Sequence, residues 1–581
     1  MRGIGFRFAL VFLLFSAATA PAQERDRYAP PDQTKGAWER FWGNNFGKQF
    51  AAPTVRLPEN EDQNGIAPVV RNGKLALTPE EAVRLALFNN VDLQVERYGP
   101  YASYWGIEKS QAAFNPSHLL STYFNRLNTP NSNLLAGGLN LEQKTGLFDY
   151  TFRKPYTTGT DLEVNFGSRR YDTTSQFIFL NPSVATNLSI MVRQRWLRGF
   201  GRSNNLVSTR IARNNLAMSE HEFVRRAMEI IANVENVYWD LVHSRELLKV
   251  RKQSLDLAKL TLEHNQARVE AGTLASLDVV QAEAEVATRV EQVVVAEYGW
   301  RNSSDQLKTL ISAQENPELT SAEVEALAPI EPLPEAPLGA EEAIRITLKH
   351  RPEMSALELE LANRGLELDR AKNKRLPGLD LIAGYSQNGL GGNFMETTLA
   401  ADQTLRLLRT GRMVPGGLGD SLSQLFRGKF LGYTIRMDLT VPLGNSEARA
   451  ELAQGLIAER QARGRIKSMA KRIGLEVRDA CRQLEMNRQR VETARAAVRF
   501  TEKKLEGEEL KYSVGTSTTR FVLEAQRDLA EARLLEIRAR VDFLKSMVTR
   551  DRAMGLTLAK HRVEPADALL GNRCVCEFGT M

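Results

Sequence analysis

The clearest regularity in the chain is an apolar residue at every seventh position. From 227 onward these are Ala227, Val234, Leu241, Leu248, Leu255, Leu262 and Val269. The same track 243 residues later reads Ala470, Val477, Leu484, Val491, Val498, Leu505 and Tyr512. Heptad spacing sustained over this length predicts a coiled-coil seam. At 1.5 Å per residue, a helix from about Asn204 to Glu270 is roughly 100 Å long. The companion seam is weaker, because Ile231 and Tyr238 give way to Arg245 and Lys252. The helix is therefore expected to pack within a larger helical wall. Return helices are predicted at about 275–312 and 518–554, each after a Gly-Thr turn.

Elsewhere the period is two. Leu431, Tyr433, Ile435, Met437, Leu439 and Val441 share one face, opposite Gly432, Thr434, Arg436, Asp438 and Thr440. Leu379, Leu381, Ala383 and Tyr385 repeat the pattern. So do Leu120, Thr122 and Phe124, and Leu188, Ile190 and Val192, with Trp196 placed for a membrane interface. Leu162, Val164 and Phe166 sit inside a long polar segment and read as a hairpin extension. The strand lengths suit tilted membrane strands. Taken alone, the pattern also suits half-buried strands of a soluble sandwich.

The chain is written twice. Glu80-Glu81-Ala82-Val83-Arg84 recurs as Glu341-Glu342-Ala343-Ile344-Arg345, and Pro116 as Pro377, both at an offset of 261. Ala271-Gly272-Thr273 recurs as Val514-Gly515-Thr516 at 243, so the second copy is 18 residues shorter between these points. Such duplication is the first organising fact. The first repeat is placed at 77–328, with strands within about 117–198 and helices within about 203–312. A proline-rich linker follows at 329–337. The second repeat is placed at 338–556, with strands within about 378–443 and helices within 446–554. In each copy a short helix opens the repeat. Thr78 is its predicted N-cap, and Glu81 completes a capping box.

Before these repeats, Arg2 and Arg7 precede the apolar run Phe8 to Ala18, and Ala20-Pro21-Ala22 offers small residues for cleavage. Residues 1–22 thus read as a secretory signal peptide, followed by an extension at 23–76. The apolar run is shorter than a spanning helix needs, and no later segment holds 18 consecutive apolar residues. An exported chain of this kind is secreted, periplasmic or inserted as a β-barrel. Four strands cannot close a barrel, since single-chain bacterial barrels begin at eight, and an open edge is not tolerated in lipid. Membrane strands here imply an oligomer sharing one barrel: eight strands in a dimer, twelve in a trimer.

The sequence at this point resembles the outer membrane efflux family, the TolC-like exit ducts. The resemblance covers about 75–556. It rests on Leu77-Thr78-Pro79-Glu80-Glu81-Ala82 with Leu85-Ala86-Leu87, on Leu197-Arg198-Gly199-Phe200-Gly201, and on Val441-Pro442-Leu443-Gly444. The turn motifs Arg268-Val269-Glu270-Ala271-Gly272-Thr273 and Tyr512-Ser513-Val514-Gly515-Thr516 add to it. The resemblance implies a mixed α/β membrane protein. It would be a homotrimer with a twelve-stranded outer-membrane barrel, four strands per chain. A long α-helical coiled-coil barrel would continue it through the periplasm. A periplasmic adaptor and an inner-membrane pump would dock on it to expel drugs, metals or secreted proteins. It implies passive conduction, with no enzymatic activity and no cofactor.

In that family the helical turns form a tip that closes like an iris. The resemblance places the tip turns at Gly272 and Gly515, an acid at Asp278, and a latching tyrosine at Tyr512. Where members carry two ring-forming acids, this chain has Phe521 and Glu524. A carboxylate ring favours cations, whereas a phenylalanine ring gates by dewetting. Phe521 equally suits packing between neighbouring helices. Arg520 is expected to pair with Asp278 in a closed state.

Composition is that of an ordinary globular chain: 581 residues, 43% hydrophobic and 25% charged, with a formal net charge of +7. Basic and acidic residues are interleaved, and aromatics are 7%, which does not point to a nucleic-acid partner. The three cysteines make no disulfide framework. Cys481 falls in a helical pattern, and Cys574 and Cys576 in the tail 557–581. His118, His221, His243, His264, His350 and His561 form no metal-binding spacing. The glycine runs at 389–392 and 416–419 are read as loop, not as a nucleotide site. The segments 127–187 and 388–430 are expected to be outward-facing loops. A soluble periplasmic coiled-coil scaffold or adaptor is the alternative reading. An exported hydrolase lacks any acid–base or nucleophile constellation.

Overall fold

The computed structural model describes residues 70–564, apart from residue 72 and the segments 131–139, 176–177, 273–274, 313–316, 330–338 and 400–406. The signal segment, the extension with Trp38, Phe41, Trp42 and Phe46, nearly all of the linker, Thr273, Cys574 and Cys576 lie outside the described residues. In chain order the elements are β1 (Val70–Arg71), β2 (Lys74–Leu77), α1 (Pro79–Asn89), α2 (Val91–Gln111), β3 (Ser117–Pro130), β4 (Asn140–Pro155), β5 (Thr160–Thr173) and β6 (Leu180–Arg195). Next come α3 (Val207–Glu270), α4 (Ser276–Ile311), β7 (Glu323–Ala326), α5 (Ala340–His350), α6 (Pro352–Lys374), β8 (Gly378–Leu399) and β9 (Leu407–Val414). Then follow α7 (Leu418–Phe426), β10 (Phe430–Thr440), α8 (Ser446–Ser513) and α9 (Thr519–Met554), besides short helical turns at Arg202–Asn205, Pro317–Ser321 and Thr557–Lys560. Contacts divide the chain into two units: Trp105–Asn215 with Leu359–Gly464, and Met1–Tyr104 with Leu216–Glu358 and Arg465–Met581.

The first of these units is built on one antiparallel sheet in the order β10-β8-β6-β5-β4-β3, with β9 paired only to the far end of β8. The expectation of four strands per chain is corrected: seven strands lie in this sheet, six of them on its main path. The additional pair is β4 and β5, inside the segment read as an outward-facing loop at 127–187. Its strand character follows from alternation. Phe148, Tyr150 and Phe152 lie opposite Ser168, Phe166 and Val164 on the one side, and opposite Thr122, Leu120 and His118 on the other. Phe148 and Phe166 meet edge to face, with centroids 6.3 Å apart. Such cross-strand pairs are the stabilising unit of a sheet.

The glycine run at 389–392 is likewise strand and not loop. A Cβ on Gly389 would lie 2.0 Å from the Ser421 carbonyl oxygen, and one on Gly391 2.1 Å from that of Gly417. These glycines let the backbone of α7 and the turn before it rest directly on β8. The Thr186 and Ser421 hydroxyls, 2.7 Å apart, pin the contact.

In the other unit, Thr78 caps α1 as expected. Its Oγ1 accepts from Glu81 N at 3.3 Å, and Glu81 Oε2 accepts from Thr78 N at 2.8 Å. The heptad tracks face inward within the chain. Val498 and Leu505 of α8 pack on Ala525, Leu529 and Ala532 of α9, and Val491 packs on Ala539 and Phe543. Burying each of these Val, Leu and Phe side chains stabilises by roughly 1.5–3 kcal/mol. Cys481 is half-buried against the cluster of Ile473, Val477 and Ala480. In α3, Ala227, Val234 and Leu241 are fully buried.

The break in the companion seam has a local cause. A small sheet, β1-β2-β7, docks there. Tyr238 donates to the Leu77 carbonyl at 3.0 Å and accepts from Ala328 N at 3.1 Å. Arg245 Nη1 donates to the Ala326 carbonyl at 2.8 Å. Polar side chains replace apolar ones where the partner is a strand's backbone.

Candidate functional site

The two helix pairs, α3 with α4 and α8 with α9, turn through glycines in the left-handed region: Gly272 at φ +76° and Gly515 at φ +85°. Nothing lies within 4 Å of a Cβ on either. Backbone conformation, not space, therefore requires glycine at both turns. At the second turn, Thr516 N donates to the Lys511 carbonyl at 2.9 Å and Gly515 N to that of Tyr512 at 3.1 Å. Ser517 Oγ donates to Glu508 Oε2 at 2.9 Å, and Lys511 pairs with Glu508 at 2.7 Å. These hydrogen bonds, that of Lys511 first, hold the Glu508 carboxyl below its ordinary range.

Tyr512 ties the two helix pairs together. Its hydroxyl donates to Asn265 Oδ1 at 2.9 Å and lies 3.3 Å from Thr519 Oγ1. The Arg268 guanidinium stands over its ring, 4.8 Å from the centroid, at cation–π distance. Gln526 Nε2 donates to Thr261 Oγ1 at 3.2 Å. Asn265, Thr519 and Gln526 are all buried. At this level the contact between the helix pairs thus includes a layer of polar side chains. It is incompletely satisfied: Asn265 Nδ2 and Gln526 Oε1 are buried without a partner among the described residues. A hydrogen bond here is worth about 0.5–1.5 kcal/mol net, because water replaces it on separation.

The other residues singled out from the sequence are not gathered at Tyr512. Asp278 lies in the first turn of α4, where the helix dipole favours an acid. Among the described residues of one chain, no ion pair joins it to Arg520. Arg520 is exposed and Glu524 half-buried. Phe521 is 53% exposed, so it is not a core residue of the single chain. Lys504 pairs with Asp528 at 2.7 Å, and this contact raises its ammonium pKa. Thr261 and Asn265 carry no motif in the sequence, and Arg268 enters only as the first residue of a turn motif. Their signal is a stripe of small and polar residues, Ser254, Ala258, Thr261, Asn265 and Arg268, at spacings of three and four along α3.

Among the described residues no group of three His, Cys, Asp or Glu side chains could hold a metal ion. No described helix is long and apolar enough to cross a membrane.

The description "outer membrane efflux protein" belongs to the family model that matches residues 82–313 and 343–556. The chain is 23% identical over 338 residues to the pyoverdine export outer membrane protein OpmQ of Pseudomonas putida, matching 56% of this chain and 62% of that protein. It therefore spans less than two thirds of that curated relative's length. Its fold is similar to that of the CmeC outer membrane channel of Campylobacter jejuni, with a TM-score of 0.57 and 16% identity over 89% of this chain and 94% of that one. It is also similar to the outer membrane protein VceC of Vibrio cholerae, with a TM-score of 0.56 and 14% identity over 82% of this chain and 96% of the other.

Proposed function

The chain belongs to the outer membrane efflux protein family, whose members are passive channels and not enzymes, and we propose that it is the outer-membrane exit duct of a tripartite efflux or type I secretion system. In this reading, copies of the sheet close into one barrel in the outer membrane, and the paired helices line a periplasmic conduit. A periplasmic adaptor and an inner-membrane pump engage its far end. The copies number three. The curated relative is named for pyoverdine export, which favours outward traffic.

The observation that carries the proposal is the sheet. One face is apolar along its strands, while its two outermost strands, β3 and β10, each have only one partner among the described residues. Backbone groups unpaired in lipid cost several kcal/mol each, so the edges must meet other copies. The helices add a second argument. Leu277, Val280, Ala284, Ala287, Val294 and Tyr298 of α4 are exposed at spacings of three, four and seven. An exposed seam of this period fits a helix of a neighbouring copy.

In the duct, the polar layer at Tyr512 is the latch. Phe521, Arg520 and Glu524 ring the constriction, and Asp278 faces Arg520 of a neighbouring copy in the closed state. The test is the native mass of the protein extracted from outer membranes in detergent. Three chains, with none in the soluble periplasm, supports the duct. A soluble monomer or dimer overturns it in favour of a periplasmic scaffold.

A further inference from the structure

We propose that the barrel wall of this duct is built from six strands per chain, so that a trimer closes eighteen strands rather than twelve. The inference rests on the duct reading and goes beyond it. It turns on the β4–β5 hairpin.

The hairpin has the two-faced chemistry of its neighbours, in register with them. Reading across the sheet on one face gives Leu120, Tyr150, Phe166, Leu188, Gln387 and Leu431, one residue from each strand in turn. Two positions along, the row is His118, Phe152, Val164, Ile190, Tyr385 and Tyr433. The opposite face carries Asp149, Thr151 and Arg153 on β4 and Glu163, Asn165 and Arg169 on β5. On β6 it carries Asn187 and Ser189, and on β10 Arg436 beside Asp438. A hairpin lying over the barrel mouth would need no apolar face continuous with the wall. A plug inside the lumen would not pair along its whole length with β3 and β6. The β4 and β5 strands are 16 and 14 residues long, enough to span the membrane at a tilt.

The outward face also has edges. Arg126, Glu142 and Lys144 form an ion-paired cluster on its loop side, at 2.6 and 3.2 Å. On the turn side, Lys154 donates to the Phe114 carbonyl at 2.7 Å. Charges therefore bound the aromatic band above and below, as at the two surfaces of a bilayer.

Topology makes the insertion self-contained. The strand β3 ends, and β6 begins, on the same loop side of the sheet. Removing β4 and β5 would leave the order β10-β8-β6-β3 with every neighbour still antiparallel. Barrel diameter grows roughly linearly with strand number, so eighteen strands give a wall about half again as wide as twelve.

The test compares the full chain with a variant in which residues 135–176 are replaced by a short turn, both imaged as detergent-solubilised particles. The expected result is a trimer whose barrel is about 1.5-fold wider than the variant's. Equal diameters, a twelve-stranded trimer with the hairpin outside the wall, or a dimer of twelve strands each overturn the inference. Should the excised variant fail to assemble, spin labels on the full chain decide. Labels at Phe148→Cys and Val164→Cys should be relaxed by oxygen dissolved in lipid, and those at Asp149→Cys and Asn165→Cys by a water-soluble agent. Water accessibility at all four would overturn it. Recovery of the protein outside the outer membrane would instead sink the duct reading itself.

Discussion

Tyr512 reaches across 2.9 Å to the side-chain carbonyl of Asn265, a residue 247 positions earlier in the chain. One hydroxyl thus joins the turn of the second repeat to the helix of the first. The bond is isolated in a polar layer, so its removal has a defined effect. Tyr512→Phe keeps the ring under Arg268 and deletes the donor. It should favour the open tip by about 0.5–1.5 kcal/mol, up to roughly a tenfold change in population. Channel openings recorded in planar bilayers should become correspondingly more frequent. An unchanged opening frequency would remove Tyr512 from the latch.

Phe521 tests how the constriction selects. If Phe521 lines the constriction as proposed, Phe521→Asp would put a ring of carboxylates in place of an apolar one. Cation selectivity, read as a reversal potential under a salt gradient, should rise, and a barrier that depends on dewetting should fall. If neither moves, Phe521 does not line the pore.

Asp278 and Arg520 form no pair within one chain, so any pairing runs between copies. Exchanging the two charges singly should raise leak through the closed channel, and exchanging both should restore it. A double exchange that leaves leak as high as the single ones would exclude the pair.

Glu235 is 3% exposed and sits against Lys560 at 3.1 Å and His561 at 3.2 Å. Burial alone would raise its pKa, but His561 and Lys560 outweigh it and hold the carboxyl below its ordinary value. A depressed acid contributes stability above its unfolded pKa, about 4.3. That contribution is lost as pH falls through the folded value. The thermal midpoint of the helical signal should therefore drop below about pH 4. In Glu235→Gln the midpoint should be lower at neutral pH and less steep in acid. An identical acid profile in the two proteins would clear Glu235 of the effect.

Gly389 has no room for a side chain beneath the Ser421 backbone. Gly389→Ala should force α7 off β8 and destabilise by about 1–3 kcal/mol. Gly419→Ala, where nothing lies within 4 Å, is the control and should be neutral. Loss of β-structure on heating the detergent-solubilised protein measures both.

The parts of the fold legible in the sequence are those whose signal is local and periodic. The heptads of α3 and α8, the capping box at Thr78 and Glu81, and the alternation of β10 all follow from spacing alone. The strand β4 was harder, because its apolar run is only Phe148, Tyr150 and Phe152, bounded by Lys144 and Lys154. A run of three aromatics suits any polar hairpin. Only its register against β3 and β5 extends it into a wall. The tip divides in the same way. Gly272 and Gly515 are marked by their turns, and Tyr512 by its motif. Asn265, Arg268 and Gln526 acquire meaning only from the approach of two helix pairs far apart in sequence.

The pairing of β6 with β8 matches Ile190 with Tyr385, and so joins the first repeat to the second within the wall. It also sets an order of events during biogenesis. In chain order β6 ends at Arg195 and β8 begins only at Gly378, so strands β3 to β6 emerge before their partner. Until then the unfinished sheet offers a greasy face and an extra raw edge to any other strand in the compartment. Long-range closure of this kind is slow. An emerging chain is consequently expected to be most prone to aggregation in the interval between the two repeats.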